Sequence, residues 1–196
     1  SFHATKFFNT FEGGAVVTND DELVETMRLM RNFGFKGYDN VIHPGTNGKM
    51  TEICAAMGLV NLDAMDEVIA ANKANHKAYR EALAGIPGLS LLPYDDREKN
   101  NYQYVVVEVG EKCPASRDEL VAALHAENVI ARKYFWPGCH RMEPYRTLYP
   151  QAGLSLPRSE EIARGVMLLP TGIAMDKALV QTVCAVIRQV VQNSRR

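Results

Sequence analysis

Several features that would assign a chain to a familiar class are missing from this sequence of 196 residues. No apolar run approaches the roughly 20 residues that a membrane-spanning helix needs. The formal net charge of −1 gives no sign of a surface for nucleic acid or for a membrane. The chain has four cysteines and no CxxC pair (Cys54, Cys113, Cys139, Cys184). We therefore expect reduced thiols in a cytoplasmic protein, with neither a disulfide framework nor a metal site.

An initiator methionine is also missing, and the first residue, Ser1, already belongs to a motif that includes Lys6. We therefore expect the chain to be the C-terminal portion of a longer protein. At the other end, Arg195 and Arg196 are expected to form a frayed terminus.

Strand and helix signals alternate along the chain, which predicts an α/β protein. Strands are predicted at residues 15–18, 102–109, 129–135 and 165–169. Helices are predicted between the cap Asn19-Asp20 and Gly34, from the capping box Ser116/Glu119 to Ala126, and at residues 158–164 and 176–191. His76 and His125 are expected to be solvated helix residues.

Two neighbouring segments divide the chain. Residues 34–49 contain four glycines and no periodic pattern, which indicates a loop longer than a simple connection. Residues 50–84 contain no proline and a single glycine, which predicts one long helix joining two lobes. The expected parts are therefore residues 1–48, a connecting helix at 49–87, and a small α/β domain at 88–196.

A lysine near the start of the chain has a spacing typical of a covalent cofactor site. Ser1 precedes Lys6 by five positions, and Glu12-Gly13-Gly14 follows before an apolar stretch. A lysine amine can form a Schiff base with an aldehyde, and a serine hydroxyl can bind a phosphate. The pattern indicates pyridoxal 5′-phosphate (PLP). The alternative is an ordinary surface lysine between core aromatic residues.

Three segments carry a family resemblance. Residues 1–18 read S-x4-K-x5-E-G-G-x3-T, and residues 45–59 read GTNGKMTEICAAMGL. Residues 132–140, RKYFWPGCH, match more loosely. Together they resemble the DegT/DnrJ/EryC1/StrS family of fold-type-I, PLP-dependent aminotransferases, which act on nucleotide-linked keto sugars. Lys49 departs from the arginine usual in that family, so the charge is kept and bidentate bonding is lost.

The resemblance implies roles for individual residues. Lys6 would carry PLP and then move the proton between substrate and cofactor. Ser1 would bind the cofactor phosphate, and Asn47 would reach it from the partner subunit of a homodimer. The substrates would be a nucleotide sugar and an amino-acid donor, expected to be glutamate. One branch of the family has histidine in place of the lysine and performs dehydration, so Lys6 favours transamination.

The resemblance also assigns residues 1–48 to the end of a large PLP-binding domain. The carboxylate and stacking ring that hold the cofactor's pyridine would lie upstream of Lys6, so this chain alone would not complete the site. Tyr134 and His140 are candidates for contact with the sugar nucleotide. The alternative is a packed tyrosine and a loop histidine with a structural partner.

Three functional hypotheses remain open from the sequence. The first is transamination of a nucleotide keto sugar, and the second is another PLP-dependent reaction on the same scaffold. The third is a non-catalytic interaction module that retains a vestigial motif. Trapping of the cofactor on Lys6 with borohydride would separate the enzyme from the module.

Overall fold

A computed structural model describes residues 1–194, so the predicted frayed terminus at Arg195 and Arg196 lies outside the described residues. The chain forms two compact units, and the first is Ser1–Asp66. The second begins at Glu67, inside the segment predicted as one long helix. The assignment of residues 1–48 to a large domain and of 88–196 to a small one stays a prediction.

Helix α1 (Asp21–Arg31) follows the predicted cap. The Asp20 carboxylate accepts a hydrogen bond of 3.0 Å from the Leu23 backbone N–H, which satisfies one of the donors left open at a helix start. At the other end, backbone N–H groups of the following loop reach the last carbonyls of the helix. Gly34 donates to Leu29, Thr46 to Met30 and Gly48 to Arg31, at 2.7–2.9 Å.

The loop of residues 34–49 therefore folds back on the end of α1. Gly34 has φ +79°, and a β-carbon there would lie 1.6 Å from the His43 carbonyl oxygen. A β-carbon at Gly45 would lie 2.5 Å from the Gly34 backbone nitrogen. These approaches admit no side chain, which explains why glycines punctuate this loop. The loop predicted from the sequence is confirmed.

The predicted single helix is divided in two. Helix α2 (Glu52–Asp63) is capped by the Thr51 hydroxyl, which accepts from the Cys54 N–H, and α3 (Met65–Leu83) begins after Ala64. Helix α2 is apolar around its circumference, and Gly58 is its only buried residue. Its larger side chains are exposed in this unit (Ile53, Leu59, Val60, Leu62).

The strand predicted at residues 15–18 is not formed. Val16 and Val17 are 75% and 91% exposed, and no strand lies within residues 1–66. A strand needs a neighbouring strand to accept and donate its backbone hydrogen bonds, and the first unit provides none. The apolar sequence was correctly recognised, but it does not determine strand formation alone.

The second unit has a three-stranded antiparallel sheet in the order β1-β2-β3. The strands are β1 (Leu89–Leu91), β2 (Val105–Val109) and β3 (Val166–Leu169). Leu89 lies opposite Val109, and Val105 opposite Leu169. Strand β1 was not predicted, and β2 starts three residues later than expected.

Helices α4 (Arg117–Ala126) and α7 (Lys177–Asn193) contact each other beside the sheet. The predicted capping box at Ser116 and Glu119 is present in full, and Asp176 caps α7. The buried core combines side chains of α3, the sheet and both helices (Tyr79, Leu83, Val105, Val107, Leu120, Leu124, Met167, Val180, Val183, Ile187). Burial of such side chains is the main driving force for this unit.

Two further predictions for this unit are wrong. Residues 129–135 form no strand, only a bridge between Arg132 and Leu168, because Ala131 and Trp136 donate their N–H groups locally to Val129 and Lys133. His76 is also not solvated: it is 4% exposed and hydrogen-bonds the Leu92 carbonyl oxygen at 3.1 Å.

The remaining elements lie between α4 and β3. They are 3₁₀ turns at Cys139–Arg141 and Ala152–Ser155, a short helix α5 (Tyr145–Leu148), and α6 (Pro157–Gly165), the last as predicted. Among the described residues no helix is both long and apolar enough to cross a membrane. In residues 1–194 no three histidine, cysteine or acidic side chains are grouped as a metal site would require.

The start of the chain packs tightly on α2. Thr10 is 2% exposed, and a β-carbon at Gly58 would lie 2.9 Å from its Cγ2 atom. The Asn61 side-chain amide on the same helix donates to the Asn9 carbonyl at 2.7 Å. The segment that contains Lys6 is therefore fixed to one face of α2 by a steric contact and a hydrogen bond.

We predict that Gly58→Ala destabilises the protein by up to about 2 kcal/mol. The overpacking cost against Thr10 is about 1–3 kcal/mol, and it is offset by a gain of about 1 kcal/mol that alanine brings to a helix interior. The matched background is Thr10→Ser, which removes Cγ2 but keeps the hydroxyl that donates to the Glu12 carbonyl. There Gly58→Ala should be neutral or stabilising. Urea unfolding of the four proteins measures this coupling, and an equal cost in both backgrounds would refute the contact.

Candidate active site

The Lys6 segment is a closed loop. The Phe2 N–H donates to the Gly13 carbonyl and the Thr10 N–H donates to the Phe2 carbonyl, both at 2.9 Å. Within this loop the Lys6 N–H closes a turn on the His3 carbonyl, also at 2.9 Å. Lys6 is thus carried at the turn of a segment whose two ends are hydrogen-bonded together.

Two contacts restrict Gly13 of the motif, whereas no atom lies close to the position of a β-carbon at Gly14. A β-carbon at Gly13 would lie 2.4 Å from the Thr10 hydroxyl oxygen and 2.8 Å from Met50 Cε. Gly13 therefore has no room for a side chain, and Met50, which follows the 34–49 loop, lies against the Lys6 segment. Glu12 is 3.5 Å from the His3 ring, so this carboxylate serves a local contact.

Ser1, the predicted phosphate donor on the Lys6 loop, and Lys6 itself lie in the first unit. Ser1 is exposed, and its hydroxyl oxygen accepts from the His3 N–H at 3.4 Å. Lys6 is half-buried. A hydroxyl and an amine in one short loop are the donor set that a phosphate and an aldehyde of one cofactor require.

Asn47 lies exposed in the loop after α1. Its side-chain oxygen accepts from the Lys49 N–H at 3.4 Å, and its backbone forms a bridge with Asn32. The Lys49 ammonium is turned to Asn32 Oδ1 at 3.1 Å and lies 4.6 Å from the centre of the Phe33 ring. Lysine at this position thus contacts its own loop with a single donor.

The segment with Tyr134 is anchored from α4. Lys133 forms an ion pair of 2.7 Å with Asp118, and the Arg117 guanidinium lies 5.1 Å from the centre of the Trp136 ring. Arg117 is 4% exposed, and its Nη1 donates to the Ala163 and Val166 carbonyls at the end of α6. The Lys133 and Arg117 hydrogen bonds hold the pKa of the Asp118 carboxyl below its ordinary value.

The Tyr134 side chain is half-buried among rings and a cation. It stacks on Phe135 with ring centres 4.6 Å apart, and the Arg132 guanidinium lies 4.9 Å from its ring centre. Phe135 is 69% exposed. These contacts support the alternative in which Tyr134 is a packed residue. The stacked Tyr134–Phe135 pair nevertheless leaves much of the Phe135 ring exposed to solvent.

His140 has a defined partner. Its Nε2 is 2.8 Å from Glu160 Oε1 on α6, and the Arg141 Nε donates to the same oxygen at 2.5 Å. The hydrogen bond from Arg141, followed by that from His140, lowers the pKa of Glu160 from 4.5 to about 2. His140 is therefore held against a carboxylate that stays ionised at neutral pH.

The predicted site residues fall into two groups. Ser1, Lys6 and Asn47 belong to the first unit, whereas Tyr134 and His140 belong to the second. Their individual roles stay predictions. Within each unit the supporting contacts come from residues to which the sequence assigned no role in the site: Gly58 and Asn61 in the first, Asp118 and Glu160 in the second.

The missed residues had little sequence signal. Glu160 lies 19 and 20 residues beyond its two partners in a charged, exposed-looking helix, and Asn61 reaches back 52 residues to Asn9. Gly58 had the best signal, because a glycine inside a long helix costs stability and calls for a packing reason.

Known proteins match the chain over nearly its whole length. The sequence model of the DegT/DnrJ/EryC1/StrS aminotransferase family matches residues 1–188. The dTDP-4-amino-4,6-dideoxy-D-glucose transaminase of Shigella dysenteriae is 35% identical over 190 residues, which cover 97% of this chain and 51% of that protein. This chain thus spans about half the length of the curated relatives that it matches.

Two solved structures agree with the fold. DesI, crystallised in the presence of its TDP-sugar product, superimposes with a TM-score of 0.89 at 46% identity over 99% of this chain and 49% of its own. Helicobacter pylori PseC, an aminotransferase involved in pseudoaminic acid biosynthesis, gives 0.86 at 26% identity over 98% and 52%. The α/β fold predicted from the sequence, that of about half of a fold-type-I PLP-dependent transferase, is confirmed. The chain belongs to the DegT/DnrJ/EryC1/StrS aminotransferase family.

Proposed function

We propose that the protein carrying this chain is a PLP-dependent transaminase of a nucleotide-linked keto sugar, with glutamate as amino donor. The observation that carries the proposal is the Lys6 loop: an intact Ser1-to-Gly14 motif, closed on itself and fixed to α2, in a chain that belongs to an aminotransferase family. We propose a cytoplasmic location, in keeping with four widely spaced cysteines that are free thiols.

Bound PLP supplies an aldehyde that takes up an amino group and a ring that accepts electron density. Lys6 would hold this aldehyde through its amine and, once released, would move a proton at the substrate carbon. The closed loop suits this task because the amine must return to the same place after each transfer. Lysine at this position supports transamination over the dehydration performed by the histidine-bearing branch of the family.

Two uncharged donors would hold the cofactor phosphate. Ser1 would offer its hydroxyl, which lies on the Lys6 loop itself, and Asn47 would offer its side-chain N–H₂ group from the loop after α1. Because the Asn47 oxygen accepts from the Lys49 N–H, the amide has a preferred orientation with its nitrogen as the outward donor. We propose that Asn47 serves the site of the partner subunit in a homodimer.

For the sugar nucleotide we propose contacts from Tyr134 and His140. Tyr134 belongs to an aromatic pair with exposed surface, on which a base or a sugar face can stack. The proposed substrate class agrees with the names of the relatives, a dTDP-amino-sugar transaminase and an enzyme crystallised with a TDP-sugar product.

Lys6→Ala in the whole enzyme should abolish transamination while PLP still binds noncovalently. Borohydride treatment followed by peptide mass spectrometry should find cofactor attached to Lys6 in the wild type and to no residue in the variant. The exposed Lys112→Ala is the matched control and should behave as the wild type. Full activity in Lys6→Ala would contradict the assignment, and a wild type that traps no cofactor would favour a non-catalytic module.

Asn47 donation across a dimer can be tested by mixing subunits. Asn47→Ala and Lys6→Ala subunits of the whole enzyme should each be impaired alone. If the site is shared, a mixed dimer regains one site with Lys6 and Asn47 from different chains, and activity partly returns. If Asn47 serves its own chain, both sites of the mixed dimer lack one of the two residues. No recovery between subunits that demonstrably exchange would end the proposal.

A further inference from the structure

The Glu160 carboxylate is the meeting point of a folded segment in the second unit. Its side chain is 13% exposed and that of His140 is 12% exposed. Besides His140 and Arg141, the Arg164 guanidinium reaches its second oxygen at 3.3 Å. The carboxylate thus joins α6 to the 3₁₀ turn Cys139–Arg141.

Two glycines close the space around this cluster. A β-carbon at Gly153 would lie 2.9 Å from Glu160 Oε1 and 2.7 Å from an Arg141 nitrogen. A β-carbon at Gly138, which has φ +93°, would lie 2.8 Å from Cε1 of the His140 ring. The ring and the carboxylate are therefore confined by the backbone on two sides as well as hydrogen-bonded to each other.

The neighbouring acid on α6 provides a contrast. Glu161 pairs with Arg158 three residues earlier at 2.7 Å, and both side chains are more than two-thirds exposed. Such exposed pairs contribute little to stability, because water screens both charges. Glu160, in contrast, is enclosed and accepts from three side chains that are 4, 19 and 20 residues away in sequence. A simple helix-surface role does not account for that arrangement.

The hydrogen bond fixes the chemistry of the imidazole. An ionised carboxylate can only accept, so the nitrogen that faces it, Nε2, must carry a proton. The other ring nitrogen, Nδ1, forms no hydrogen bond within the described residues. A β-carbon at Gly138 would lie 3.0 Å from it, so the glycine at that position leaves Nδ1 open to a ligand. A sugar hydroxyl both donates and accepts, so it can satisfy Nδ1 in either protonation state of the ring.

We infer that Glu160 is a positioning residue that fixes the His140 ring so that Nδ1 is presented to a hydroxyl group of the sugar. This inference rests on the proposed function, because it takes His140 as a contact of the nucleotide sugar. It assigns recognition of the sugar, rather than of the nucleotide or of the amino donor, to the Glu160–His140 pair.

The test compares Glu160→Gln with Glu161→Gln in the whole enzyme. Glutamine keeps the size of the side chain and removes the charge. With a nucleotide keto sugar, Glu160→Gln should raise KM about tenfold, the loss expected when a well-placed hydrogen bond to the substrate is lost. The half-reaction with glutamate, which involves no sugar, should change less than about twofold. Glu161→Gln should leave both unchanged.

A binding measurement separates this inference from the proposed reaction. Calorimetry would use dTDP-, UDP- and GDP-glucose and the three matching nucleoside diphosphates as probes. Glu160→Gln should weaken binding of the preferred sugar nucleotide about tenfold and leave its nucleoside diphosphate unaffected. Sugar-selective weakening in an enzyme that transfers no amino group would contradict transamination and support the Glu160 assignment. Equal weakening of both probes, or binding of none of them, would overturn it.

A double-mutant cycle tests the route through His140. In a His140→Ala background, Glu160→Gln should have no further effect on KM, because the ring that it positions is gone. An additive effect would show that Glu160 acts through Arg141 or through the fold, and would overturn the inference. If Glu160→Gln does not fold, Glu160→Asp, which keeps the charge but shortens the reach to Nε2, replaces it with the same expected results.

Discussion

The contact between Thr10 and Gly58 is the constraint on which the first unit depends. The apolar side chains of α2 form no hydrogen bonds that could orient a loop. Gly58 has no side chain, so the loop can approach the helix closely at this position. The buried Thr10 fills that space, and the Asn61 amide then fixes the register by bonding the Asn9 carbonyl. Because the loop is closed by hydrogen bonds between Phe2, Thr10 and Gly13, fixing one end also fixes the turn that carries Lys6.

In the second unit, a segment with little packing of its own is held by ion pairs. The core of this unit holds α3, the sheet, α4 and α7 together. The segment between α4 and β3 consists mostly of short turns and short helices, and many of its large apolar side chains are exposed. Such a segment has little burial of its own to stabilise it. Two acidic side chains compensate: Asp118 holds Lys133, and Glu160 holds His140 and Arg141. Glu160 is itself a residue of α6. Asp118 is linked to the same helix through Arg117, whose guanidinium donates to carbonyls at the end of that helix.

Local signals in the sequence predicted local structure well. The predicted caps at Asp20 and Ser116 are present, because a side chain can bond a backbone N–H three residues away without help from the rest of the chain; Asp176 caps α7 in the same way. Two strand predictions are wrong because a strand depends on a partner strand. Residues 15–18 have no partner in the first unit, and residues 129–135 form many of their backbone hydrogen bonds with nearby residues. The prediction that His76 is solvated is wrong for a related reason. Its burial depends on Leu92 and Tyr94, whose contact with α3 cannot be read from the periodicity of that helix.

The candidate site divides along the same physical line. Lys6 and Ser1 could be proposed from the sequence because a covalent cofactor requires an amine and a phosphate donor, and both residues lie on one short loop. Glu160 could not be proposed from the sequence, because its contacts exist only once the fold brings residues 138–164 around its carboxylate. A sequence motif contains the residues expected to contact a ligand, at fixed spacings. The residues that support them only need to be near them in the folded chain, so their sequence positions follow no fixed spacing. Glu160 and Glu161 are adjacent identical residues, and only their three-dimensional surroundings make the first an enclosed acceptor of three side-chain hydrogen bonds and the second a member of a solvated ion pair.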